Sequence, residues 1–193
     1  MATEYAAEFP WATTYVFFGD ERCVPPDHPD SNYGMAHDAL LTRIPGLESR
    51  ARRIEGERTP SDGAARYAEM LHREFPAMSG SPPTTFDVLL LGVGTDGHTA
   101  SLFPGETSVD VRDRLALDIA ASPSLDREAR LTVTVPVIER IRTVLVLAVG
   151  KAKHGPLQRV AAAEGALHDT PSRAIRGVVG SLGWILDEAA AAG

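Results

Sequence analysis

Phe86–Gly105 reads FDVLLLGVGTDGHTASLFPG, and the fold class turns on it. Phe86 to Leu91 is a continuous apolar run, the pattern of a strand covered on both faces. It runs into a glycine-rich bend, Gly92 to Gly97. A short helix is predicted next, closed by Pro104-Gly105. A strand, a tight bend and a helix start carrying a histidine make a candidate site. Glycine lets the backbone approach a ligand or take positive φ, and free N–H groups at a helix start favour an anion. A neutral His98 can take a proton from water near pH 7. Asp96, two residues before it, can orient the ring. Amides around Gly94 are candidate donors to a developing oxyanion.

Gly92, Gly94 and Gly97 also spell the dinucleotide fingerprint G-x-G-x-x-G. That fingerprint needs a long following helix and an acid at the end of the next strand. Pro104-Gly105 allows barely two turns, and Leu115–Ala120 carries its acid, Asp118, internally. The dinucleotide assignment is therefore set aside.

Upstream, Thr13 to Phe18 (TTYVFF) is β-branched and aromatic and predicts a buried strand ended by Gly19-Asp20. The following loop holds Asp20, Glu21 and Arg22. Arg22 can clamp a phosphate or carboxylate in bidentate fashion, and Asp20 can accept from sugar hydroxyls. Asn32 and Tyr33 open the next helix, so their polar ends can face the same cleft. His28, among prolines and acids, reads as a loop residue. Cys23 has no adjacent base and does not read as a nucleophile.

That helix is capped by Asp30 or Ser31 and runs through Met35, Leu40 and Leu41. A short strand is predicted over Arg53–Glu57 and a second helix capped by Ser61, with Ala65, Ala68, Met70, Leu71 and Phe75 at helical spacing. Pro76–Pro83 reads as a loop. Leu131–Val135 and Thr143–Val149 read as strands, Lys151–Ala163 as a helix with Gly155-Pro156 distorting its start, and Ser181–Ala191 as a C-terminal helix carrying Trp184, Ile185 and Leu186. Strands alternating with helices predict an α/β fold with a mainly parallel sheet in one domain over residues 1–193. Ligands in such sheets sit beyond the carboxyl ends of the strands, which singles out the loops after Phe18 and Leu91.

Composition narrows the partners. The chain has 193 residues, 44% hydrophobic and 23% charged, with formal net charge -7. An acidic surface repels nucleic acid and anionic lipid. One cysteine, Cys23, allows no internal disulfide and fits a reducing cytoplasm. A structural zinc site is not expected with one cysteine and scattered histidines. No apolar run approaches the roughly 20 residues of a membrane span.

The two loops together, D-E-R-x-V-P ending in S-N-Y and G-V-G-T-D-G-H-T-A-S-L-F-P-G, resemble the 6-phosphogluconolactonase family. Leu131–Lys153 and Leu182–Ala190 extend the resemblance over most of the chain. It implies a Rossmann-like fold shared with sugar-phosphate isomerases and deaminases. It also implies hydrolysis of 6-phospho-D-glucono-1,5-lactone without a metal or organic cofactor. His98 would be the general base and Asp96 its support, with Asp20, Arg22, Asn32 and Gly94 at the substrate and Lys153 at its phosphate. The family pattern begins with a further strand–helix unit bearing an S-G-G-S-T-P loop. No such segment precedes Trp11, so an N-terminally shortened lactonase, monomeric or weakly dimeric, is expected. Two rivals remain in view. Deaminases of the glucosamine-6-phosphate type follow the D-G-H turn with an acid-bearing run, whereas Thr99–Phe103 reads T-A-S-L-F. A non-catalytic sugar-phosphate-binding protein would carry the same motifs and differ only in lacking turnover.

Overall fold

A computed structural model describes residues 7–75, 86–125 and 127–192. Among the described residues three of five strand ladders are parallel, in keeping with the expected class. The main sheet joins β4 (Val88–Gly92), β7 (Thr143–Ala148) and β8 (Ser181–Leu186) in the order β4-β7-β8, all parallel. A second sheet, unexpected from sequence, is antiparallel: β2 (Asp20–Arg22), β6 (Arg130–Val133) and β5 (Ala116–Ile119), in the order β2-β6-β5. β1 (Val16–Phe17) pairs parallel with β3 (Ala51–Arg52).

Several boundaries differ from those predicted. Trp11–Thr13 is a 3-10 turn, which leaves two residues of the Thr13–Phe18 strand. Asp20 does not end a strand but opens the next. The short strand falls on Ala51–Arg52, because the chain beyond turns at Gly56, whose amide donates to Ile54 O at 3.1 Å. α1 (Asn32–Ala39) is capped by Ser31 and stops before Leu40, and Leu41 lies in a separate 3-10 turn. In α2 (Pro60–Glu74) Thr59 holds the N-cap position and Pro60 the first turn, which puts Ser61 inside the helix. β6 ends at Val133, and Thr134 precedes α3 (Val135–Glu139). Of the helix predicted over Lys151–Ala163, Lys151–Lys153 is a 3-10 turn and α4 covers His154–Ala161, with Gly155 and Pro156 inside its first turn. Pro76–Pro83 lies outside the described residues.

The largest correction is at the C-terminus. Ser181–Leu186 is a strand, and only α5 (Glu188–Ala191) is helical. Leu182, Trp184 and Ile185 suit a pleated surface, and six residues pair in parallel register with β7, which outweighs the helix propensity of the neighbouring alanines.

The core lies between the sheets and α2. Gly63, Ala64, Tyr67 and Leu71 form the buried stripe of α2. A Cβ on Gly63 would lie 2.8 Å from Leu131 Cδ1, so the helix rests directly on β6. Tyr67 Oη donates to Phe18 O at 2.7 Å and accepts from Phe18 N at 3.1 Å, pinning the chain just before β2. Burial pushes that phenol well above its ordinary pKa. One face of β4 is not covered as expected. Leu91 is buried, but Val88 and Leu90 are 55% and 58% exposed and share their face with the exposed Leu147 and Ile185.

Register aligns the carboxyl ends of the main sheet. Gly92 pairs with Leu147 and Ala148 with Leu186, so the loop after β4, the Gly150–Lys153 turn and Asp187 leave the same edge.

Candidate active site

No helix follows the glycine bend. Gly97 takes φ +100 and Ala100 φ 47, which interrupts helical repetition, and Thr99 and Leu102 close an isolated antiparallel bridge. His98 therefore sits in a tight looped hairpin, and the helix-terminus donors expected there do not exist. Thr99 Oγ1 donates to Gly92 O at 2.8 Å and ties the hairpin back to β4.

Asp96 and His98 act as one unit. Asp96 Oδ1 accepts from the His98 amide at 2.9 Å and lies 2.7 Å from ring Nδ1. A carboxylate in that position fixes the tautomer with Nδ1 protonated and leaves Nε2 its lone pair. Partial burial works to raise the Asp96 carboxyl. The His98 amide, the charge of its ring and the ring hydrogen bond outweigh this and hold it below the ordinary aspartate value. The imidazole is 35% exposed and lies against Phe103, ring centroids 4.9 Å apart. Nε2 has no hydrogen-bond partner among the described residues.

Gly94 plays a different part from the one expected. Its amide donates to His98 O at 2.8 Å, so it is not a free oxyanion donor. What it supplies is room for the ring and for Asp96.

The earlier loop is organised around Glu21, a residue to which the sequence analysis gives no role. Glu21 is 2% exposed. Its carboxylate accepts from the amides of Arg22, Asn32 and Tyr33 and from Ser31 Oγ, at 2.8, 2.7, 2.8 and 3.2 Å. It thereby holds the start of α1 against β2. The one available signal was an acid in the segment leading to a helix start whose amides need acceptors. Asn32 then donates to Asp20 Oδ1 at 3.1 Å and accepts from Arg22 Nη1. Asp20, Arg22 and Asn32 thus lie together in one hydrogen-bonded group.

Ser101 connects the two loops. Its Oγ donates to Asp20 Oδ2 at 2.7 Å, and its amide donates to Thr132 Oγ1 at 3.1 Å. Asp20 faces Thr132 across the β2–β6 ladder, so the hairpin docks on that rung. Arg159, also unforeseen, reaches from α4 to Asp96 O at 3.1 Å. Lys153, partly buried, shares the sheet edge with the hairpin but has no hydrogen bond or ion pair to the His98 or Asp20 groups. Lys151 is exposed. His28 lies beside Asp30 at 3.6 Å in its loop. Cys23 is half-buried, and burial together with Asp118 pushes its thiol up, against a nucleophilic role. Among the described residues no group of three His, Cys, Asp or Glu side chains could hold a metal ion.

Residues 1–184 match the family described as glucosamine-6-phosphate isomerases/6-phosphogluconolactonase. The human 6-phosphogluconolactonase is 38% identical over 174 residues, which is 90% of this chain and 66% of the human protein. The chain thus spans just under two thirds of that relative's length. Among solved structures, the devB protein superposes with TM-score 0.86 at 34% identity, covering 98% of this chain and 78% of that one. The 6-phosphogluconolactonase of Trypanosoma brucei superposes with TM-score 0.77 at 33% identity, covering 91% and 72%.

Proposed function

The chain belongs to the glucosamine-6-phosphate isomerase/6-phosphogluconolactonase family, and from that premise we propose that it hydrolyses 6-phospho-D-glucono-1,5-lactone to 6-phosphogluconate in the pentose phosphate pathway. The observation that carries the mechanism is the Asp96–His98 pair, which leaves Nε2 of a partly exposed imidazole as a base.

In this mechanism Nε2 takes a proton from water as the water oxygen bonds to the lactone carbonyl carbon. The C=O electrons move onto oxygen. Asp96 stabilises the imidazolium formed, as a carboxylate beside a developing charge does. With the Gly94 amide engaged, the oxyanion falls to Arg22, whose guanidinium keeps donors beyond the one given to Asn32. The tetrahedral species then collapses. The bond from the carbonyl carbon to the ring oxygen breaks, and the imidazolium returns its proton to that oxygen, which becomes a hydroxyl. Asp20 and Asn32 accept from and donate to sugar hydroxyls, and Lys153 pairs with the phosphate. Neither a metal nor an organic cofactor enters these steps.

The same proposal treats residues 1–193 as one lactonase domain, a monomer or weak homodimer acting in the cytoplasm. Among the described residues no helix is long and apolar enough to cross a membrane. The test is turnover. Acid release from the phospholactone is expected to exceed the spontaneous rate, and His98→Ala to lose roughly 100- to 10,000-fold, the usual share of a general acid–base group. Equal rates with and without protein would refute the proposal.

A further inference from the structure

In the antiparallel ladder Arg22 lies directly opposite Arg130. Residues facing each other across a ladder share one side of the sheet, and like charges in that position destabilise it. Two residues along and next on the same face, the Asp20–Thr132 pair is where Ser101 docks the His98 hairpin. Two arginines therefore share one face of the ladder, beside the pair on which the hairpin docks. Arg130 Nε is buried and has no hydrogen-bond partner among the described residues. A buried unpaired donor costs free energy unless something accepts from it. Burial first, and then Arg22, pull the Arg130 guanidinium below its ordinary pKa, while Asp20 and Glu128 only partly offset them. The floor continues past Arg127, whose guanidinium lies 4.0 Å from the centroid of the Phe103 ring that also touches His98.

We propose that the Arg22–Arg130 rung is an oxyanion-binding site in which Arg130 is a second substrate-binding guanidinium. Paired guanidinium groups match the paired oxygens of a phosphoryl or carboxyl group. Either end of a sugar-phosphate acid supplies that chemistry. The identity of the ligand rests on the lactonase reading, whereas the existence of the anion site does not.

The experiment compares wild type, Arg130→Met and Arg130→Lys. Inorganic phosphate and gluconate are titrated by calorimetry, and hydrolysis is measured on phosphorylated and phosphate-free gluconolactone. Arg130→Met is expected to weaken anion binding about tenfold or more, the scale of a lost charge-assisted hydrogen bond. Arg130→Lys recovers part of it. The melting temperature of Arg130→Met does not fall, since the repulsion between residues 22 and 130 is relieved. A KM effect larger on the phosphorylated lactone assigns the rung to the phosphoryl group. A kcat effect of similar size on both lactones assigns it to the carboxyl end. The proposal is overturned if wild type binds neither anion, if Arg130→Met binds both as wild type does, or if Arg130→Met melts lower and lysine restores no affinity. A wild-type chain that binds phosphate but turns over no lactone would sink the lactonase reading and leave the anion site standing.

Discussion

A methyl group placed on Gly94 would lie 2.1 Å from His98 Nδ1 and 2.6 Å from Asp96 Oδ1. Both contacts are far inside van der Waals distance, so residue 94 sets where the imidazole stands. Gly94 has no positive φ to protect, and the constraint on it is purely one of space.

Gly94→Ala is therefore expected to displace the ring while leaving the sheets intact. A displacement near 1 Å costs on the order of 100-fold in rate. Steady-state kinetics beside a thermal melt would separate the two effects. An alanine variant with wild-type kcat/KM would show that the ring has room to move without loss.

Asp96→Asn keeps the shape and removes the charge that favours an imidazolium. A fall in kcat is expected, within the roughly 100- to 10,000-fold range of acid–base catalysis and smaller than the loss for His98→Ala. Stability gives an independent readout. A carboxyl held lower in the folded chain than in the unfolded one stabilises the fold above its unfolded value, about 3.9. That contribution is lost as the pH drops through the folded value, because the unfolded chain binds more protons in that interval. Wild type is expected to lose slightly more stability on acidification than Asp96→Asn. The difference is small because the side chain is 50% exposed. Superimposable curves of melting temperature against pH would contradict the assignment.

Glu21→Gln tests the anchor of the earlier loop. The amide retains one acceptor oxygen where the carboxylate served four donors, from Ser31, Arg22, Asn32 and Tyr33. Leaving such donors unpaired costs about 1–3 kcal/mol, a drop of several degrees in melting temperature for a chain of this length. KM is expected to rise as well, since Arg22 and Asn32 lose their common fixture. An unchanged melting temperature would mean that the donors find other partners.

What the sequence disclosed and what it withheld divide along a physical line. The Asp96–His98 pair is a local device, two residues apart on one bend, and its chemistry could be read from spacing. Asp20, Arg22 and Asn32 converge because a strand end leads into a capped helix within a dozen residues, again a local matter. The hairpin after Gly97 was misjudged because a helix needs repeated dihedrals, and Ala100 adopts an angle that residue type does not announce. Ser181–Leu186 was misjudged because its strand state comes from a partner, β7, rather than from its own propensities. Arg130 was invisible as a site residue for the same reason: only the register between β2 and β6 sets it against Arg22. The exposed row of Val88 and Leu90 likewise depends on what packs above the sheet, which an apolar run cannot state.

Ala100 is the single described non-glycine residue at positive φ, and it sits two positions past the imidazole. For a residue with a Cβ that posture costs on the order of 1–2 kcal/mol. Glycine would relax it, so selection for heat resistance alone would favour glycine there. The same exchange would slacken the bend that carries the base, because glycine frees the chain as readily as it fits it. Durability and turnover therefore pull in opposite directions at this one methyl group, and a library sorted only by melting temperature would drift toward sturdier, slower proteins.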